Sequence, residues 1–292
     1  MNDMLAPTAL WAMHPAFLDS YLKRGAIEAM LPEGLAALAN MGKPAEAAKP
    51  LDPIREGATV VIPVRGMMAP SGIIWGAGTL TDRLADMIRE FGADSKVGAI
   101  VLDIKSPGGL VYGTRELGDA VFEVRQSKPI VAVASPFSFS AAHWLATQGS
   151  AFYASPSAEV GSVGVRSGHV DQSGLEEKLG MKTTLIASHP DKIAAHPYAP
   201  LTDEDRAVIE ADVAEMNAEF VSAIARGRGM KATDVPGVHG TGKTFSARRA
   251  AETGITDGVM TLREAVAKYS SSRSRMELMR RRAAVRGAAA AI

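Results

Sequence analysis

The sequence contains no cysteine, which excludes disulfide bonds, thiolate zinc sites and a cysteine nucleophile. It also lacks an uninterrupted apolar stretch of the roughly 18 residues that a membrane-spanning helix requires, and its first thirty residues carry no basic segment ahead of an apolar run. Lys plus Arg (32) equals Asp plus Glu (32), so no excess of positive charge favours nucleic acid or an anionic membrane as a partner. We therefore expect a cytoplasmic protein that has no membrane span and binds no nucleic acid.

The chain is long and apolar enough to build a substantial core. It has 292 residues, of which 47% are hydrophobic and 22% charged, which excludes disorder throughout. Residues 1–55 form an arm and linker, with one helical pattern near Pro15–Met30, and residues 56–270 form the main domain. Residues 271–292 are a tail with six arginines and one acidic residue. The tail is predicted to be disordered or helical on contact with a partner, and a solvated helix end explains it equally well.

Strand and helix patterns alternate from Ala58 onward. The predicted elements include the strands ATVVIPV, VGAIVLDI and PIVAVA, the helices TLTDRLADMIREF, Tyr112–Gln126 and one from Ser140, short strands around AFYA and VGV, a helix at SGLEEKLG, a strand KTTLIA, and a long amphipathic helix capped by Thr202. Such alternation predicts an α/β fold with βαβ units and a mainly parallel sheet.

A pair of glycines follows the buried strand IVLDI. Gly108 and Gly109 stand between this strand and the next helix, where exposed backbone N–H groups can stabilise a developing negative charge. They are a candidate oxyanion hole. A tight strand-to-helix turn is the structural alternative.

Ser140 begins a helix of small residues after another strand. A serine at a helix N-terminus, followed only by Ala141 and Ala142, is predicted to be accessible to substrate and favourably placed in the helix dipole. Serine is also a common helix cap, and by composition alone Ser135 and Ser138 compete for the nucleophile role.

None of the six histidines is a convincing base for this serine. His143 lies one helical turn from Ser140, and we interpret it as a packed or half-exposed histidine. His189 and His196 flank Lys192 at a spacing that fits no recognised metal site.

An ordered series of motifs resembles peptidase family S49, which includes the SppA-like signal peptide peptidases and phage head maturation proteases. The motifs are SPGG after its strand, SFSAAHW, SAEVGSVGV, LIASHPDKIAAHPYAPLT and KTFSARRAAETGITDGVMTLREA. The resemblance covers Ala58 to Tyr269 and implies a ClpP/crotonase-like fold.

The resemblance also implies roles for particular residues. It places the nucleophile at Ser140, the general base at Lys192, a lysine-orienting serine at Ser162, and the oxyanion-binding amides at Gly108 and Gly109. Family members usually have glycines after the nucleophile, where this chain has Ala-Ala-His.

A lysine base must be desolvated. A lysine in water, with a pKa near 10.4, is protonated at neutral pH and accepts a proton only where burial favours its neutral form. The neighbouring Ile193, Ala194 and Ala195 are compatible with such a pocket, and we expect Asp191 to point away from the ammonium group of Lys192.

The segment Gly237–Thr244 matches the phosphate-binding pattern G-x-x-x-x-G-K-[ST]. That pattern binds phosphate only between a buried strand and a helix. The preceding KATDVP supplies no such strand and no acidic Mg²⁺-binding strand follows, while the family resemblance implies a packed helix from near Phe245-Ser246, so we do not expect a nucleotide site.

The resemblance implies peptide hydrolysis through an acyl-enzyme, with no cofactor or metal, in a ring-like homo-oligomer whose neighbouring subunits jointly complete each site. We favour a phage-type protease that cleaves scaffold or capsid proteins in a bacterial cytoplasm or prohead. Three alternatives remain: an SppA-type signal peptide peptidase, a crotonase-type acyl-CoA enzyme, and a non-catalytic shell or scaffold component.

Overall fold

The computed structural model describes residues 11–13, 52–72 and 78–289, and the helix expected near Pro15–Met30 lies outside these ranges. The strands are β1 (Trp11–Met13), β2 (Ile54–Glu56), β3 (Thr59–Arg65), β4 (Met67–Ala69), β5 (Gly78–Leu80), β6 (Ala99–Ser106), β7 (Gly108–Leu110), β8 (Ile130–Phe139), β9 (Ala151–Ala154), β10 (Glu159–Gly161) and β11 (Thr244–Ser246). The helices are α1 (Thr81–Ala93), α2 (Thr114–Val124), α3 (Ala141–Thr147), α4 (Ser173–Lys178), α5 (Asp203–Arg228), α6 (Val235–His239), α7 (Ala247–Glu252), α8 (Leu262–Tyr269) and α9 (Ser272–Ala289).

The main sheet has seven strands in the order β11-β10-β8-β6-β3-β2, with β9 also paired to β8. Strands β3, β6, β8, β9 and β10 pair in parallel, and only the outer strands β2 and β11 run antiparallel to their neighbours. A smaller sheet has the order β1-β7-β4-β5. The chain is therefore an α/β protein with a mainly parallel sheet, as its alternating pattern predicts.

Residues of the central strands alternate between two cores. In β3, Val60, Ile62 and Val64 pack with α1, α2 and α3 on one face of the sheet. Val61 points to the opposite face, where α8 covers the sheet with Val266 and Tyr269. Side chains of a strand project alternately to its two sides, so a continuous apolar strand implies that both faces are covered.

A third cluster joins α3 to the C-terminal end of α5. Trp144 stacks on Phe220 with ring centroids 4.8 Å apart, and Val163 and Val235 complete the contact. The helix that Thr202 was predicted to cap is present, and its hydroxyl accepts the Asp205 N–H. The helix is buried unevenly: its N-terminal part is half-buried at every third or fourth residue, and its fully buried residues all lie between Phe220 and Gly227.

Other expectations need correction in the segment that follows β10. The strand expected around 163–165 lies earlier, at β10. Residues 182–187, expected as the strand KTTLIA, form no strand and are mostly exposed, because no described strand pairs with them. The basic tail is helical as α9, and in the described residues every helix is too short or too polar to span a bilayer.

Candidate active site

Ser140 lies at the junction between β8 and α3 in a strained backbone conformation. Its φ of 52° and ψ of −118° fall in a region that non-glycine residues seldom adopt, at a cost of about 1–3 kcal/mol. Such strain persists only where the surroundings impose it. Here the Ser140 N–H donates to the carbonyl oxygen of Gly161, N···O 2.8 Å, and its carbonyl oxygen accepts the Trp144 N–H at 2.9 Å.

The two rival serines occupy different environments. Ser138 is fully buried within β8, and its hydroxyl has no hydrogen-bond partner among the described residues. Ser135 lies inside the same strand, away from the helix junction. Only Ser140 combines the strand-to-helix junction with a strained backbone, which favours it as the nucleophile.

Ser140 is less accessible than the sequence suggests. Its residue surface is 1% exposed, and the hydroxyl donates a long hydrogen bond to the Gly164 carbonyl oxygen, O···O 3.4 Å. The segment 161–164 therefore covers the serine from the side of β10, a contact that local sequence does not reveal. A substrate must displace or bypass this weak hydrogen bond.

Gly108 and Gly109 form β7, which packs beside α3. A Cβ atom on Gly109 would lie 1.9 Å from the Met68 carbonyl oxygen, so only glycine fits. Gly108 has a φ of 98°, and its N–H donates to Ser106 Oγ at an N···O distance of 3.2 Å. The glycines therefore allow β7 to pack closely against Met68. An oxyanion would compete with the Ser106 hydroxyl for the Gly108 N–H.

Ser162 lies close to the nucleophile in the backbone network. It is 4% exposed and has a φ of 57°, a second strained non-glycine residue beside Gly161, whose carbonyl oxygen holds Ser140. Its own N–H donates to the Lys243 carbonyl oxygen at 2.7 Å. The structure therefore brings Ser140, Ser162 and the β7 glycines into one neighbourhood.

Lys192 is not part of this neighbourhood within one chain. It lies in a 3₁₀ turn, Pro190–Ile193, on an exposed segment, and its ammonium group makes no hydrogen bond or ion pair with any residue that the structure describes. Asp191 contacts His189, with Oδ2 3.2 Å from Nδ1. The predicted lysine pocket is absent from the described residues of a single chain.

The segment that carries Lys192 exposes many apolar side chains. Residues 165–200, which we call the lysine arm, are all half-buried or exposed. Ile186 is 94% exposed. Leu175, Leu179, Met181 and Leu185 are also exposed. Several large apolar side chains exposed within one segment favour a contact with another protein.

A cavity of about 730 Å³ opens between residues 163–169 and α5. Gly164, whose carbonyl oxygen accepts the Ser140 hydroxyl, contributes to its lining, and the apolar part of the lining includes Val163, Val165, Ile209 and Val213. A cavity of this size accommodates an apolar side chain of a peptide.

His143 is packed inside the protein, as predicted, and its partner is another histidine. Its Nε2 lies 3.0 Å from Nδ1 of His239, and both residues are 0% exposed. Burial lowers the pKa of His143 well below its usual range, and His239 and Arg228 add to this effect. Burial, with a contribution from Arg228, lowers the pKa of His239 to about 4. Sequence reasoning missed this pair because 96 residues separate its members.

The phosphate-binding pattern at 237–244 does not have the geometry that phosphate binding needs. The short helix α6 precedes the glycine loop, residues 240–243, and the strand β11 follows this loop, which is the reverse of the required order. Instead, the Gly242 N–H donates to the Val163 carbonyl oxygen at 2.7 Å. The loop therefore supports the segment beside Ser140. Among the described residues no three acidic or histidine side chains are grouped as metal ligands would be.

Comparison with known proteins points to one family. The model of peptidase family S49 matches residues 123–274. The chain is 26% identical to capsid assembly protease C of Escherichia phage lambda over 71% of this chain and 46% of that protein. It is 27% identical to the head-tail preconnector protein GP5 of Enterobacteria phage P21 over 73% of this chain and 41% of that protein.

A cellular relative is the putative signal peptide peptidase SppA of Enterococcus faecium, 25% identical over 59% of this chain and 50% of that protein. The chain thus spans half or less of the length of these three relatives.

Proposed function

The chain belongs to peptidase family S49, and we propose that it is a serine endopeptidase in which Ser140 is the nucleophile and Lys192 the general base. The observation that carries this proposal is the strained, hydrogen-bonded backbone of Ser140 at the junction of β8 and α3. Strain of this kind is concentrated at functional sites, where it sets the direction of a reactive side chain.

The proposed reaction proceeds through an acyl-enzyme. Ser140 Oγ attacks the peptide carbonyl carbon while the neutral Lys192 amine takes the hydroxyl proton. Backbone N–H groups at Gly108 and Gly109 stabilise the tetrahedral oxyanion. Collapse of this intermediate breaks the C–N bond, and Lys192 returns the proton to the leaving amine. Water then hydrolyses the ester by the same proton transfers, with Ser162 orienting the lysine.

The general base requires a second subunit in this proposal. Lys192 is exposed in one chain and has no described partner there, whereas a lysine base must be shielded from water. The apolar residues of the lysine arm supply a surface that a neighbouring subunit can cover. We therefore propose a ring-like homo-oligomer in which the lysine arm of one subunit delivers Lys192 to Ser140 of the next.

A mixing experiment tests this arrangement. Ser140→Ala and Lys192→Ala subunits should each be inactive alone, but a co-assembled equal mixture should recover about a quarter of wild-type activity, because a head-to-tail ring then contains sites with both intact residues. Lys182→Ala, an exposed lysine of the same arm, is the matched control and should stay active. Absence of recovery, with ring assembly intact, would reject the shared site.

We further propose that the biological substrate is a capsid or scaffold protein of an assembling phage head, and that the protein acts in the bacterial cytoplasm or prohead. The similarity to the lambda capsid assembly protease supports this assignment. Co-expression with candidate capsid and scaffold proteins, followed by mass spectrometry, tests it: products should appear with the wild type and be absent with Ser140→Ala and Lys192→Ala.

An SppA-type signal peptide peptidase is the second candidate, because the Enterococcus relative carries that name. It predicts cleavage of added short hydrophobic peptides and no processing of the co-expressed capsid proteins. A non-catalytic shell component predicts identical products with wild type and Ser140→Ala, and a crotonase-type enzyme predicts turnover of acyl-CoA that does not depend on Lys192.

A further inference from the structure

The buried histidine pair connects the nucleophile helix to the glycine loop that follows α6. His143 is the third residue of α3, which begins directly after Ser140, and His239 is the last residue of α6. Their ring nitrogens are 3.0 Å apart, and Phe152 packs edge-on against His143 with ring centroids 5.5 Å apart. This is a direct side-chain hydrogen bond between these two elements.

The glycine loop, residues 240–243, in turn holds the segment beside Ser140. The Gly242 N–H donates to the Val163 carbonyl oxygen, and the Lys243 carbonyl oxygen accepts the Ser162 N–H, both at 2.7 Å. One residue earlier, the Gly161 carbonyl oxygen accepts the N–H of Ser140. Hydrogen bonds and the chain itself therefore connect Ser140 to α3, α3 to the glycine loop through the two histidines, and the glycine loop to segment 161–164, which bonds back to Ser140.

We propose that His143 and His239 are a positioning pair for the nucleophile: their hydrogen bond sets the distance between α3 and the glycine loop, and thereby the placement of Ser140 against residues 161–164. This inference rests on the proposed peptidase function of Ser140. It also explains the phosphate-like pattern at 237–244 as a support for the active site, since its glycines let the loop turn back along Val163.

Direct catalysis by His143 does not fit the geometry. Its Nε2 is engaged by His239, and its Nδ1 has no hydrogen-bond partner among the described residues, Ser140 included. Arg228 is the charged group that acts electrostatically on both rings, and it is itself paired with Asp257, with 2.9 Å between Nη1 and Oδ2. At neutral pH both rings are uncharged, so one donates and the other accepts.

The positions of the bonded nitrogens allow a matched test. A glutamine at 143 places its amide near the former Nε2, and an asparagine at 239 places its amide near the former Nδ1, so H143Q and H239N can keep the hydrogen bond. H143N and H239Q put the amide at the wrong distance and break it. The expected result is that kcat on fluorescein-labelled casein falls about 10- to 100-fold in H143N and H239Q with little change in KM, because small displacements of a reacting group have effects of this size.

H143Q and H239N should retain most of the wild-type kcat. Labelling of Ser140 by a fluorophosphonate probe should slow in parallel with kcat. Tyr269→Phe is the control, since it removes another buried side-chain hydrogen bond, 2.8 Å between the hydroxyls of Tyr153 and Tyr269, on the opposite face of the sheet. It should lower stability without slowing labelling.

Hydrogen exchange separates this inference from the proposed function. Faster exchange at residues 160–164 in H143N and H239Q, relative to Tyr269→Phe, is expected even if casein is not a substrate. If exchange and labelling rates in both H143N and H239Q equal those of the wild type, the positioning role is overturned. The peptidase function would instead be overturned if the wild-type protein neither cleaves casein nor is labelled at Ser140. In that case the faster exchange in H143N and H239Q would still support the positioning role.

Discussion

Acidification below about pH 6.5 should destabilise the protein through its two buried histidines. The unfolded chain binds a proton at each histidine with a pKa near 6.5, whereas burial lowers the pKa of His239 to about 4 in the folded protein. Between these values the unfolded state binds more protons than the folded state. The stability that the uncharged, buried His239 contributes is therefore fully present above pH 6.5 and is lost as the pH falls towards 4.

The linkage relation gives the size of the effect. For His239 alone, going from about pH 7.5 to about pH 5.0 lowers the free energy of unfolding by about 2 kcal/mol. His143 acts in the same direction, because burial lowers its pKa as well. The Glu264 carboxyl group acts at a lower pH: hydrogen bonds from the backbone and hydroxyl of Thr261 lower its pKa below the ordinary 4.5, so its stabilisation is lost only below that value.

Urea unfolding followed by circular dichroism at several pH values measures this change. The double variant H143Q/H239N has no titratable group at either position, so between about pH 7.5 and pH 5.0 it should lose at least about 2 kcal/mol less than the wild type, the His239 contribution alone. Tyr269→Phe should be less stable at every pH with an unchanged pH dependence. If the double variant and the wild type lose the same free energy over this range, the histidine pair is not the source and the reasoning is refuted.

Three further changes have defined outcomes. Gly109→Ala brings a Cβ within 1.9 Å of the Met68 carbonyl oxygen and should destabilise by more than about 3 kcal/mol in urea unfolding, whereas Gly174→Ala, with nothing within 4 Å, should be tolerated. Ser140→Gly and Ser140→Ala should both be inactive in casein cleavage, but the glycine variant should be about 1 kcal/mol more stable, because φ of 52° strains alanine. Arg125→Leu removes the donor to the carbonyl oxygens of residues 148, 149 and 227 and should lower the unfolding free energy by about 3 kcal/mol. The pH dependence of its unfolding should match that of the wild type, since the histidine pair is unchanged.

Much of the fold can be predicted from local sequence. The runs 59–65, 99–106 and 130–139 are strands because β-branched and apolar residues occupy both faces of a covered sheet. The segment 182–187 shows where such reasoning fails. Its apolar residues suggest a strand, but a strand needs a neighbour to pair with, and no described strand pairs with it.

The candidate site divides in the same way. The sequence indicates a serine between a strand and a helix, because that junction is set by residues next to each other in the chain. Local pattern does not predict the burial of Ser140, since its cover comes from Gly161 and Gly164 more than twenty residues later. Nor does it predict that Lys192 stays exposed in one chain.

The sequence by itself determined the central strands and the helices between them, the family, and the candidate nucleophiles. Periodicity and short motifs encode these features because they depend on neighbours within about one turn or one strand. Only the tertiary structure decided that His143 meets His239, that the glycine loop supports segment 161–164, and that β7 lies beside α3. Those contacts join residues distant in the chain, and they form because packing of the assembled layers, and no local preference, places the groups within hydrogen-bond distance.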